Sequence, residues 1–123
     1  MVAFLSDQDL RTNSGAFVNF FGLPAWTVTL PVRMALRTRA KLSFNIMVRQ
    51  GKGFKMILRG PLHLPRTGDD EADVLAWTQQ WTRWLEEEIR KYPEQWSWIH
   101  PRWKTTPERP RKQWDPRLKK DGD

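Results

Sequence analysis

The chain has 123 residues, 39% hydrophobic and 28% charged, with eight Trp, six Phe and no Cys; it has the size of one small domain or part of a larger one. The missing cysteines exclude a disulfide scaffold and a thiolate metal site, and no apolar run approaches the roughly 20 residues of a membrane-spanning helix. The net charge of +7 is uneven: residues 10–68 carry ten bases and no acid, whereas residues 69–100 carry eight acids and three bases.

Residues 2–5 form a short apolar run ending in Ser6, Asp7, Gln8 and Asp9. They read as a buried strand with a polar loop at its carboxyl end. The opening MVAFLSDQD is too short and too soon acidic for a signal peptide. Residues 11–30 mix Asn, Gly, Pro and aromatics without a clear period and read as a long loop, with a short strand at 16–20. A helix is predicted from Thr29 or Leu30, with Pro31 in its first turn, to about Ala40. Residues 42–49 and 54–59 are strand-like, and the glycine-rich turn between them predicts a hairpin. In its second strand Phe54, Met56 and Leu58 alternate with Lys55, Ile57 and Arg59, a half-buried pattern.

The clearest element follows Gly68. Thr67 or Asp69 caps it, and Asp69, Asp70, Glu71 and Asp73 suit its positive end. Val74, Trp77, Trp81, Trp84, Leu85 and Ile89 recur at spacings of three and four, which makes one apolar face. A stripe of this kind is core packing or a stacking platform, and the helical spacing favours core. Pro93 ends the helix. Residues 105–123 carry Pro and charge without periodicity and read as a basic, disordered tail.

The residues offer little catalytic machinery. His63 lies in an apolar extended run, where a lone His is usually structural. His100 either orients a substrate or packs under Trp98 or Trp103. No local motif marks a nucleophile, no cluster has metal-ligand spacing, and Gly51-Lys52-Gly53 lacks the Gly-Lys-Ser/Thr ending of a phosphate loop. The cation-only stretch suggests an anionic partner: phosphate head groups, an acidic carrier protein or nucleic acid. A nearby acidic helix would partly neutralise it. No nucleic-acid motif is present, and no nucleic-acid partner is expected.

Two blocks resemble the late acyltransferases of lipid A biosynthesis, the lauroyl/myristoyl acyltransferase family. The first is DQD at Asp7, Gln8 and Asp9, followed by SGAFVNFFGLPAWT at 14–27. The second is PEQWSWIHPRWK at 93–104. Residues 33–39 are similar to the family's RLALRTG helix, and Arg49 stands where the family keeps an Arg after a buried strand. Asn19 departs from the family's usual Pro, Leu23 from a base, Leu30 from a Gly and Phe44 from a Pro.

The resemblance implies a partial lysophospholipid-acyltransferase-like α/β fold. Its layered sheet with flanking helices would span residues 1–104 and be incomplete without an N-terminal half. It implies transfer of an acyl chain from acyl carrier protein to a phosphorylated glucosamine disaccharide lipid, with no cofactor, at the cytoplasmic face of the bacterial inner membrane. It further implies acyl carrier protein, phosphorylated glycolipid, an anionic membrane surface and a separate N-terminal half chain as partners.

The family's general base is a His-x4-Asp/Glu pair. Here Gly68 lies five positions after His63 and Thr105 five after His100, so no catalytic residue is assigned. A truncated or split gene product without independent activity is the expectation. The alternative is a non-enzymatic module for anionic glycolipid or acidic protein. The substrate-side candidates carried by the resemblance are Asp7, Gln8, Asp9, Phe20, Phe21, Gly22, Arg33, Arg37, Arg49, Trp96, His100 and Arg102. Arg33, Arg37 and Arg49 are either phosphate or carrier contacts or solvated surface cations. Asp7 and Asp9 orient groups at a strand end or form a turn.

Overall fold

A computed structural model of the chain describes residues 1–10 and 13–108. It is a small α/β domain of two antiparallel hairpins and two helices. Strands β1 (Gly15–Phe20) and β2 (Leu23–Val28) form the first hairpin. Its two-residue turn, Phe21-Gly22, has φ of 51° and 81°. Positive φ at both central residues is the type I′ pattern that matches the strand twist. At the far end Gly15 is required for a different reason: a Cβ there would come within 2.5 Å of the Trp26 indole.

Helix α1 (Leu30–Thr38) follows, with Pro31 in its first turn and Val32, Ala35 and Leu36 buried. Strands β3 (Leu42–Gln50) and β4 (Gly53–Leu62) form the second hairpin. Gly51 takes φ of 58° and Lys52 a negative φ, as in a type II′ turn. Helix α2 (Asp70–Lys91) is capped by the Asp69 carboxylate, which accepts from the Ala72 N–H. Behind the cap, the buried Asp73 carboxylate accepts from the Thr67 N–H and hydroxyl. A short 3-10 turn, Pro93–Gln95, begins the closing segment.

One core joins these elements. Phe20, Ala25, Val32, Leu36, Val74, Trp81, Leu85 and Ile89 are buried together, with Phe44, Ile46, Trp84 and Trp103 packed against them. Phe44 stacks near Trp81 and Trp84, each at a 6.3 Å centroid distance. The tryptophan stripe of α2 is therefore core packing.

Two expectations are corrected. Residues 2–5 form no strand, and Val2 and Leu5 are exposed. Apolar residues nominate a strand, but a ladder partner makes one, and no strand here pairs with this run. Residues 11–30 are not one long loop, since β1 and β2 occupy most of them. Pro24 sits in β2 opposite Asn19, at a position that bonds outward and needs no donor from Pro. In β4 the half-buried pattern resolves onto one of its two alternating sets. Ile57 and Arg59 are half-buried, whereas Phe54, Met56 and Leu58 are exposed.

The proposed disordered tail falls mostly outside the described residues, at 109–123. Of its first residues, Thr105 is buried.

Candidate functional site

The two sequence blocks meet in space. Asp9 is 1% exposed, and its backbone N–H donates to His100 Nε2 at 3.0 Å. Its Oδ2 accepts from the Thr105 N–H at 3.0 Å. Arg102, also 1% exposed, donates from Nη1 to the Trp26 carbonyl at 2.7 Å and from Nη2 to Thr27 Oγ1 at 2.6 Å. Its guanidinium lies 5.2 Å from the Phe20 ring centroid, and Trp103 stacks on the same ring at 5.4 Å. Burial pushes Arg102 below its ordinary range, and the charges of Asp9 and Asp7 oppose that shift. A guanidinium remains protonated under these conditions.

This arrangement determines what the cluster can do. His100 Nε2 accepts a hydrogen bond from the Asp9 N–H, so the lone pair on that nitrogen is occupied. Arg102 donates to β2 from both terminal nitrogens, while its buried Nε has no partner among the described residues. Asp9, His100, Arg102 and Thr105 thus tie the chain's first residues to its closing segment and both to the first hairpin. They position the fold and present no general base. Among the described residues, no group of three or more His, Cys, Asp or Glu is placed to hold a metal ion.

The other candidates separate. Asp7 and Gln8 are half-buried beside the cluster. Phe20 is fully buried core. Phe21 lies under the Arg90 guanidinium, 4.7 Å from its centroid, and its N–H donates to Glu86. The Gly22 N–H donates to Asn19 Oδ1. Trp96 is half-buried, 6.3 Å from Phe20. Arg33 is engaged in a bidentate ion pair with Glu71, its Nη2 donating to Oε2 at 2.8 Å, and its Nε donates to Thr29. That hydrogen-bonded pair raises Arg33 and lowers Glu71 from their ordinary values. Arg37 is exposed on α1.

Arg49 is placed differently. Its backbone is clamped, with Arg49 N–H donating to Gln95 Oε1 at 2.6 Å and Gln95 Nε2 donating to the Arg49 carbonyl at 3.1 Å. Its guanidinium has no ion pair among the described residues. It borders an open groove of about 630 Å³ lined by Met47, Arg49, Gly51, Phe54, Glu94 and Gln95.

Sequence reasoning read Gln95 as part of a motif without assigning it this bridging role. It missed Gln79, which bridges Asn19 in the same way: Asn19 N–H donates to Oε1 at 2.7 Å and Nε2 to the Asn19 carbonyl at 2.9 Å. The only signal available was that each Gln lies on or just after the apolar-faced helix, at a polar position.

Comparison with known proteins gives a consistent result. Residues 1–105 match the family described as bacterial lipid A biosynthesis acyltransferase. The chain is similar to the lipid A biosynthesis lauroyltransferase of Escherichia coli (strain K12), 30% identical over 111 residues. That match covers 88% of this chain and 35% of the relative, so the chain spans about a third of that protein's length. With the family's extent running from the first residue to Thr105, where the buried Asp9–Thr105 bond closes the fold, the chain belongs to the bacterial lipid A biosynthesis acyltransferases.

Proposed function

We propose that this chain supplies the acceptor-side part of an acyltransferase. In this reading the whole assembly moves a fatty acyl group from acyl carrier protein to a hydroxyl of a phosphorylated lipid A precursor, at the cytoplasmic face of the inner membrane. The chain's share is a lysophospholipid-acyltransferase-like portion that binds and orients the anionic acceptor. The proton-abstracting histidine and its carboxylate come from polypeptide outside these residues.

The observation that carries this reading is the union of the two family blocks. They are joined through Asp9 and His100, 91 positions apart, and Arg49, which has no ion pair among the described residues, is held by its backbone to Gln95 from the second block. His100 is engaged by Asp9, and neither His has a carboxylate five positions on. A general base must have a free lone pair within reach of the hydroxyl it deprotonates.

The test is acyl transfer from acyl carrier protein to a lipid A precursor. It is measured with the chain alone and with the chain mixed with the E. coli lauroyltransferase truncated before the region it shares with this chain. The expected result is no turnover alone and measurable turnover in the mixture, abolished when Arg49 is changed to Ala. Turnover by the chain alone would overturn the assignment of the general base to another polypeptide.

A further inference from the structure

We infer that the outer face of the β3–β4 hairpin is a docking surface for an anionic lipid bilayer. The inference goes beyond acyl transfer and holds whether or not the chain takes part in turnover. The register sets Asn45 opposite Leu58, Met47 opposite Met56 and Arg49 opposite Phe54. Directly opposed residues share a face, so Met47, Phe54, Met56 and Leu58 form one apolar surface. They are 60%, 68%, 58% and 58% exposed. The other face carries Phe44 and Ile46, which pack against the core, with buried Val48 and half-buried Ile57. A hairpin that needed only one buried face would carry polar residues outward. This one carries four apolar side chains outward beside Asn45 and Arg49.

The charges around the patch select its occupant. Arg49 shares the face and has no ion pair among the described residues, and Lys52 stands in the turn. No carboxylate occurs between residues 10 and 68, and Glu94 is the one acid lining the adjoining groove. Along β4 the row from Phe54 to Leu58 extends about 13 Å, two strands wide. Apolar side chains at the acyl boundary with cations at phosphate level are the chemistry of interfacial binding. A second copy would bring like charges together. An acidic soluble protein would answer the cations and leave four exposed apolar side chains without a role.

The chain has no Cys, so a single thiol can be introduced cleanly. Phe54→Cys and, as a reference on exposed α2, Ala76→Cys are labelled with an environment-sensitive fluorophore. They are mixed with vesicles of phosphatidylcholine alone or with phosphatidylglycerol added. The expected result is binding to the anionic vesicles with a blue shift at position 54 and none at position 76. Met56→Ser with Leu58→Ser should weaken partitioning about tenfold. Arg49→Gln should weaken it about fivefold, with the difference shrinking at high salt. Circular dichroism confirms that the variants remain folded. Three results would each overturn the inference: no vesicle binding, binding with position 54 still in water, or a shift at position 54 that appears without vesicles as the chain self-associates.

Discussion

Arg39 ends α1 in the left-handed region, with φ of 56°, while its N–H and that of Ala40 bond back to the Ala35 carbonyl. A Cβ makes this conformation costly, which is why glycine usually holds the position. The side chain is exposed. Arg39→Gly is therefore expected to stabilise the chain by about 1 kcal/mol, after offsetting the extra freedom glycine gives the unfolded state. Equilibrium urea unfolding checks this, and a loss of stability would mean that Arg39 makes contacts beyond its backbone. Asn19 shows the opposite economy. Where the family has Pro, this Asn supplies an N–H to Gln79 and a side-chain acceptor to Gly22. The departure from the family pattern adds bonds that Pro could not make.

The two hairpins share a device. In each, the turn is flanked by a hydrogen-bonded pair, Phe20 with Leu23 and Gln50 with Gly53, and the next residue of the first strand turns its N–H and carbonyl outward. At Asn19 and at Arg49 a glutamine side-chain amide takes both groups. Each amide acts as a one-residue strand and blunts an edge that would otherwise invite pairing. Gln79→Ala or Gln95→Ala is expected to cost about 1–2 kcal/mol. Each should also accelerate amide exchange locally, at Asn19 in the first variant and at Arg49 in the second. Exchange that changed equally in both hairpins would show the bridges to be incidental.

These bridges were hidden in the sequence because a single polar residue on a helix carries no period. Helix α2 was legible because its apolar spacing and its Asp69 cap agree. The second hairpin was legible in its strands but not in its facing. Both alternating sets of β4 contain apolar residues, and only pairing with Phe44, Ile46 and Val48 decides which set faces the core. The strand expected at residues 2–5 depended on a ladder partner that composition cannot supply. Of the candidate site, Asp9 and Arg102 were identified as residues, but their burial and mutual tethering come only from the fold.

At the scale of the molecule, one buried carboxylate links the second hairpin to α2. Glu88, with a side chain 2% exposed, accepts from Lys91 Nζ at 2.9 Å and from Arg59 Nη2 at 3.3 Å. Burial pushes its carboxyl up, but the bonds and charges of Lys91 and Arg59 more than offset this and hold it below its usual 4.5. A carboxyl whose folded value is depressed stabilises the fold above its unfolded value. That contribution is lost as pH falls through the folded value. Glu88→Gln should cost roughly 1–2 kcal/mol at neutral pH, with the gap to the parent chain narrowing below about pH 4.5. Thermal melts from pH 7 to about pH 3 test this. A gap constant with pH would assign the cost to packing instead of ionisation.

The bond from Thr105 to Asp9 also has a topological meaning. It closes a ring of almost the whole described chain, bringing residues 9 and 105 together at a buried junction. Opening the backbone at an exposed loop tip, rather than at this junction, would leave the tie intact. A short linker across that junction, with a new break at the Gly51-Lys52 turn, would leave the core as it is.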